Sequence, residues 1–141
     1  LFRSTLISQI KETTTVSATT AATTVNYDVL TNGGVTYYTN NSGANWTLNL
    51  RGSATTSLAN MMSVGESISI AFLVTNGSTA YYQSAFQIDG TSVTPKWQNG
   101  SAPSAGNASS VDIYSITTTR INSTSTIASA FTVFESLTKF A

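Results

Sequence analysis

The sequence predicts an all-β domain, an antiparallel β-sandwich or jelly roll with one short helix around residues 55–63. Apolar and polar residues alternate with a period of two along most of the chain, and β-branched and aromatic residues are abundant. Asn-Gly and Asp-Gly pairs separate these runs, with a turn signal roughly every 8–12 residues, which is typical of sandwiches and barrels. The chain of 141 residues, 40% of them hydrophobic, is enough for one core. We find no internal repeat that would predict a solenoid.

The N-terminal part of the chain differs from the rest. Leu6–Ile10 alternates weakly, and a run rich in Thr, Ser and Ala follows it. Because Thr tolerates strand geometry, we predict a strand at Thr14–Ala18 and a turn near residues 20–22. We therefore expect an N-terminal arm or edge strands over residues 1–24 and a single β-sandwich domain over residues 25–141.

Two hairpins are predicted in the first half of this domain. Val25–Leu30 and Val35–Tyr38 alternate, and Asn32–Gly34 between them favours a tight turn because Asn and Gly tolerate positive φ. Trp46–Leu50 alternates strictly and places Trp46, Leu48 and Leu50 on one face. Asn76-Gly77 predicts a second hairpin after the most apolar strand, Ser67–Thr75, which we expect to be central.

A short helix and several edge features are predicted from local signals. Leu58, Met61 and Met62 have helical spacing, and Thr56 or Ser57 can cap the helix start. Asp89-Gly90 predicts a turn, and Pro95 restricts the strand Val93–Trp97 to an edge or a bulge. The segment 99–110 is predicted to be a loop, and Val111–Ile116 and Phe131–Phe134 are predicted to be the last strands.

The composition excludes several classes of function. The six basic and six acidic residues cancel, charged residues make up only 9% of the chain, and there is no His or Cys. Nucleic acid and anionic membranes need clustered cations, so neither is an expected partner. Without His or Cys a Ser-His-Asp triad or a zinc-thiolate site cannot form, and we expect neither enzymatic activity nor a cofactor or metal. About a third of the residues are Ser or Thr, so hydroxyls and amides must cover the surface.

The aromatic residues offer the only candidate contact site. Trp97 lies next to the predicted loop, and Tyr81 and Tyr82 form a pair of which one ring should point outward. These three side chains are candidates for a glycan contact or a subunit contact. Ordinary packing and sheet decoration explain them equally well.

Several stretches resemble the virion structural proteins of cyanophages and related marine tailed phages. The stretches that carry the resemblance are Val25–Leu30, Trp46–Gly52, Phe72–Tyr82, Lys96–Gln98, Gly106–Asp112 and Phe131–Ala141. They consist of sheet and turn residues, so they indicate a fold family rather than a site.

The resemblance implies a non-enzymatic structural protein of the virion. Such a protein is repeated on the particle as a capsid decoration or tail appendage, and it stabilises the assembly through contacts with copies of itself, expected as a homotrimer, and with other virion proteins. The alternative is a tail-fibre module that binds host-surface glycans. The N-terminal arm is then a candidate attachment segment. The low charge agrees with an assembly component, because repulsion between copies is weak.

Overall fold

The computed structural model describes residues 12–141, so the predicted strand at Leu6–Ile10 lies outside the described residues. Ten strands and three one-turn helices follow one another over this range. The strands are β1 (Thr15–Ser17), β2 (Thr23–Asp28), β3 (Val35–Asn41), β4 (Trp46–Arg51), β5 (Ser67–Asn76), β6 (Gln83–Ile88), β7 (Thr91–Ser92), β8 (Lys96–Trp97), β9 (Ser110–Arg120) and β10 (Phe131–Phe140). The helices are α1 (Val29–Asn32), α2 (Leu58–Met61) and α3 (Ile127–Ala130), and a 3-10 turn spans Gln98–Gly100.

The strands form two mixed sheets. The first, sheet A, has the order β1-β3-β5-β9-β10-β8, and the second, sheet B, has the order β2-β4-β6-β7. Only the β5–β9, β9–β10 and β6–β7 pairs are antiparallel, and the other five pairs are parallel. The prediction of a β-rich domain is therefore confirmed, while the antiparallel arrangement is wrong for most pairs and the jelly-roll topology is not confirmed.

The first six strands alternate between the sheets. Odd-numbered strands lie in sheet A and even-numbered strands in sheet B, and each pairs in parallel with the strand two places before it. The chain therefore winds around the interior in the manner of a two-sided solenoid. The coils are unequal, since β1, β3 and β5 begin at residues 15, 35 and 67. No fixed sequence period accompanies this winding.

This winding overturns two predicted hairpins. Asn32–Gly34 connects β2 in sheet B to β3 in sheet A, and Asn76-Gly77 begins a crossing from β5 in sheet A to β6 in sheet B. Asn76 does not adopt positive φ, and its side chain is buried and used for loop contacts instead. The predicted turn at Asp89–Gly90 is confirmed as a true hairpin between β6 and β7, with φ values of 50° and 78° that suit a type I′ turn.

The inner faces of the two sheets share one core. Trp46, on sheet B, packs edge to face on Tyr114 of sheet A, with ring centroids 5.7 Å apart. Tyr27 and Phe72 make a similar contact at 6.3 Å. The predicted face of β4 is confirmed, and β5 is an interior strand whose predicted inward face also points to the core. The fully buried apolar side chains include Tyr27, Trp46, Leu48, Leu50, Leu58, Phe72, Val74, Phe86, Ile88, Tyr114 and Ile116.

The predicted helix at residues 55–63 is confirmed as the single turn α2. The Ser57 side chain accepts a hydrogen bond from the backbone N–H of Asn60 and so caps the turn. The Asp89 carboxylate, from the β6–β7 hairpin, accepts from the N–H groups of Leu58 and Ala59 at 2.7 and 3.0 Å. Two further helical turns, α1 and α3, were not predicted, and α1 shortens the predicted strand Val25–Leu30 to end at Asp28.

The described part of the predicted N-terminal arm belongs to the sheets. The strand β1 pairs with β3 at the edge of sheet A, and Ala21 is buried in the core. The boundary drawn after residue 24 falls within β2. The predicted strand at Thr14–Ala18 is confirmed as β1, with the bounds Thr15–Ser17.

Candidate functional site: the cavity beside Trp97

Trp97 occupies a two-residue strand at the edge of sheet A. The strand β8 runs parallel to β10 and places Trp97 opposite Glu135 and Lys96 opposite Phe134. Pro95 precedes it and lacks an N–H group for a longer ladder, and the 3-10 turn with Asn99 in the left-handed region follows it. Trp97 therefore has a fixed backbone position, and its half-buried ring packs against the edge of the core.

Three clefts meet at Trp97, and the most enclosed of them lies on the β6 side. It is a cavity of about 300 Å³, at the small end of the range that ligand sites occupy. Its walls come from β6, from the crossing between β7 and β8, and from the loop after Trp97. The lining residues are Gln83, Ser84, Ala85, Phe86, Ser92, Val93, Thr94, Pro95, Trp97, Ala102 and Pro103. None of these side chains is charged.

Gln83 is the most unusual residue of this lining. Its side chain is buried, with the residue 2% exposed, and neither amide atom has a hydrogen-bond partner among the residues that the structure describes. The backbone N–H of Gln83 donates to the Tyr114 hydroxyl at 3.0 Å, so the strand position is fixed while the amide is left over. A buried amide without partners costs free energy, and a ligand or ordered solvent normally satisfies such a group.

Glu135 lies behind Trp97, on the inner face of β10. The residue is 3% exposed, and neither carboxylate oxygen has a partner within residues 12–141. Burial raises the pKa of Glu135 to about 8, and the nearby Gln83 side chain lowers that pKa in part. The carboxyl group is therefore mostly protonated at neutral pH. Its oxygens are closed to solvent, so in this conformation it cannot act on an external substrate.

A second buried carboxylate holds the loops around the site. Asp112 is fully buried, and its Oδ2 atom accepts hydrogen bonds from the Asn76 amide at 3.0 Å and from the backbone N–H of Asn107 at 2.9 Å. Burial raises the pKa of Asp112, and the hydrogen bond from Asn107 works in the opposite direction. Asn76 also donates to the carbonyl of Tyr81. Asp112 thus ties the segments that precede β6 and β9 to the core.

The two tyrosines predicted with Trp97 lie in a different place. Tyr81 and Tyr82 are half-buried and sit in the crossing before β6, where the N–H of Tyr82 donates to the Asn45 side chain at 3.1 Å. Neither tyrosine lines any of the three clefts that meet at Trp97. The structure therefore brings Trp97 together with Gln83 and Glu135, which sequence analysis did not single out, rather than with the tyrosine pair.

The chemistry of this site is that of binding. No group of three or more His, Cys, Asp or Glu residues in the described part of the chain could hold a metal ion. The cavity offers an aromatic ring, two prolines, one free amide and a few hydroxyls. Such a set can hold a neutral ligand that has both an apolar face and polar edges. No helix within residues 12–141 is long and apolar enough to cross a membrane.

Comparisons with known proteins found no match. No protein-family model, curated protein or solved structure matches the chain.

Proposed function

We propose that this chain is a non-enzymatic structural protein of a virus particle, present in many copies in the virion. We interpret its two sheets as the layers of a β-sandwich that associates with copies of itself, expected as a homotrimer, and with neighbouring virion proteins. The observation that carries the proposal is the outer face of sheet A, which has an unusual surface for a protein in water.

One half of that face is apolar. The register aligns Val16, Tyr37, Leu73 and Ile113 in one row across β1, β3, β5 and β9. These positions alternate with the core positions, so their side chains point away from the interior, and Val16 is 65% exposed. An aligned row of exposed apolar side chains on a flat sheet is typical of a protein contact surface.

The other half of the face is covered by hydroxyls. Ser67 and Thr119 lie 2.8 Å apart across the β5–β9 pair, and Ser69 and Thr117 lie 2.9 Å apart in the next row. These pairs satisfy one another within the sheet. They therefore need fewer hydrogen bonds from water, which lowers the cost of covering this half with a partner.

The outward-facing strand positions of sheet A within the described residues carry no charge from β1 to β10, and Lys96 on β8 stands at the rim. Sheet B is different, since its outer face carries the Asp28–Arg51 ion pair and a hydrogen bond between Asn26 and Asn49. Burying a charge is expensive, so the uncharged face is the one that a second copy can cover at least cost. This contrast supports assembly through sheet A.

The proposal is tested by the association of the purified chain. We expect sedimentation velocity to show concentration-dependent oligomers, and Ile113→Lys to shift them to monomers without changing the melting temperature. Thr24→Lys, on the exposed outer face of sheet B, is the matched control and should associate like the wild type. A wild-type chain that stays monomeric at high concentration, or an Ile113→Lys variant that still associates, contradicts assembly through this face.

Location on a particle needs a separate measurement. Immunogold electron microscopy of virus particles that contain the chain should label the particle surface. Label over the head favours a capsid decoration, and label on the tail favours a tail appendage. Particles that carry no label, despite an antibody that recognises the folded chain, would contradict a virion role.

A second candidate function is recognition of host-surface glycans by a tail fibre. The uncharged cavity beside Trp97 is the observation that favours it. A receptor-binding module and an assembly component are compatible, because the cavity opens at the β6–β8 edge and not on the outer face of sheet A.

A further inference from the structure

We infer that the cavity beside Trp97 is a binding site for one ring of a neutral saccharide. The site is built from Trp97, Pro95, Pro103 and the amide of Gln83. It is separate from the assembly face of sheet A, so the inference holds or fails independently of the virion proposal.

The Gln83 amide is the first reason to expect a ligand. Its two polar atoms are buried and unpartnered among the described residues, although every such group costs free energy. The residue belongs to β6, whose pairing with β7 covers only Gln87 and Ile88. The part of β6 that starts at Gln83 therefore borders the cavity instead of a neighbouring strand.

The charge of the lining defines the class of ligand. No Asp, Glu, Lys or Arg lines this cavity. The nearest cations belong to the adjoining clefts, where Lys96 lines the outer one and Lys139 the one under the loop 98–105. An anionic ligand would lose its hydration without gaining an ion pair, so the cavity favours a neutral molecule.

The mixture of groups favours a sugar over a purely apolar ligand. An amide offers both donors and an acceptor, and the hydroxyls of Ser84, Ser92 and Thr94 each donate and accept. Sugar hydroxyls also donate and accept, so they can satisfy this set whichever way they rotate. The C–H face of a pyranose ring is apolar and can pack on the flat side chains of Trp97 and Pro103.

The size and rigidity of the site also fit a single ring. A cavity of about 300 Å³ is small for a drug-sized ligand. Pro95 and Pro103 stiffen the segments on both sides of Trp97, which lowers the entropy that binding must overcome. An oligosaccharide would therefore place one residue in the cavity and extend along the free edge of β6.

The test is a titration of the wild-type chain with methyl glycosides of glucose, galactose, mannose and N-acetylglucosamine, followed by the NMR signals of the two indole N–H groups. We expect at least one glycoside to give saturable binding in the millimolar range and to shift the Trp97 signal. Trp97→Ala and Gln83→Met should each weaken that binding at least about tenfold. Gln83→Met keeps the buried volume and removes only the amide, so its melting temperature should not fall.

Phe134→Ala is the matched control, because Phe134 is a 50% exposed aromatic ring on the neighbouring strand that does not line this cavity. It should bind the same glycoside with unchanged affinity. The inference is overturned if none of the four glycosides shifts the Trp97 signal, or if binding survives in both Trp97→Ala and Gln83→Met. Adenosine is a flat, neutral competitor of another class, and its binding in place of every glycoside would also overturn the saccharide assignment.

Discussion

Gln83 and Glu135 approach each other across the interior, one from each sheet, and neither side chain has a hydrogen-bond partner within residues 12–141. Trp97 stands at the edge of this pair, in register with Glu135. Buried polar groups without partners are destabilising. The protein therefore sacrifices stability at the point where its most enclosed surface cavity begins, which is a common property of functional sites.

The Glu135→Gln variant should remove a pH dependence of stability. The pKa of Glu135 is raised from 4.5 to about 8, so over that interval the folded state keeps a proton that the unfolded state has released. The free energy of unfolding should therefore fall as pH rises, by up to about 1.4 kcal/mol per pH unit, and level off above pH 8. Urea denaturation of wild type and variant at several pH values in this interval measures the difference in slope.

The neutral variant should be more stable than the wild type at pH 8 and differ little below pH 4.5. Glu12→Gln, at an exposed position, is the control and should keep the wild-type slope. The raised pKa of Asp112 adds a smaller dependence of the same sign, which both variants retain. Equal slopes in Glu135→Gln and wild type would show that Glu135 titrates normally in the folded state.

The sequence predicts which face of a strand is buried more reliably than which strand lies beside it. Alternation placed Trp46, Leu48 and Leu50 on one face, and the structure confirms this. The same alternation arises in parallel and antiparallel sheets, so it carries no information about strand partners. Asn76-Gly77 favoured a hairpin, but its Asn side chain is engaged by Asp112 from a distant strand, a contact that no local pattern can predict.

The candidate site was only partly predictable for the same reason. Trp97 was identified because an aromatic ring beside a loop is visible in the sequence. Glu135 was missed because the last strand was predicted to end at Phe134, whereas β10 continues to Phe140. The alternation Phe131, Val133, Glu135 was the available signal, and a carboxyl at an inward position interrupts the apolar pattern that marks a strand.

The Gly106→Ala variant should be strongly destabilised. A Cβ atom at position 106 would lie 2.1 Å from the Tyr81 carbonyl oxygen and 2.7 Å from the polar side-chain atoms of Asn76 and Asp112. These atoms belong to the buried clamp, so they cannot move aside without breaking its hydrogen bonds. We expect a loss of about 2 kcal/mol or more in the free energy of unfolding.

Thermal denaturation of Gly106→Ala, beside Gly34→Ala as a control, measures this effect. A Cβ atom at position 34 meets nothing closer than 4.0 Å, and its backbone φ is not in the left-handed region. Gly34→Ala should therefore be neutral or slightly stabilising. A Gly106→Ala variant that melts like Gly34→Ala would mean that the segment 101–109 is not packed as the structure shows.

The Asp89→Asn variant tests the contact between the β6–β7 hairpin and α2. Asn tolerates the positive φ of Asp89, so the turn is retained, but only one of the two carboxylate acceptors remains for Leu58 and Ala59. We expect a loss of about 1 kcal/mol. Guanidinium denaturation measures it, and Asp89→Ala should lose more because it adds backbone strain. Equal stability of Asp89→Asn and wild type would show that the carboxylate contributes nothing as a cap.

Tyr114→Phe should destabilise the core through a backbone group. The Tyr114 hydroxyl accepts from the N–H of Gln83 at 3.0 Å, and its removal leaves that N–H buried without a partner, at a cost of about 1–3 kcal/mol. The contact involves the Gln83 backbone, so the same cost should appear in the Gln83→Met background. A double-mutant cycle from urea denaturation should therefore give a coupling energy near zero. A large coupling energy would mean that the Tyr114 hydroxyl bonds to the Gln83 side chain, and that the amide is not free for a ligand.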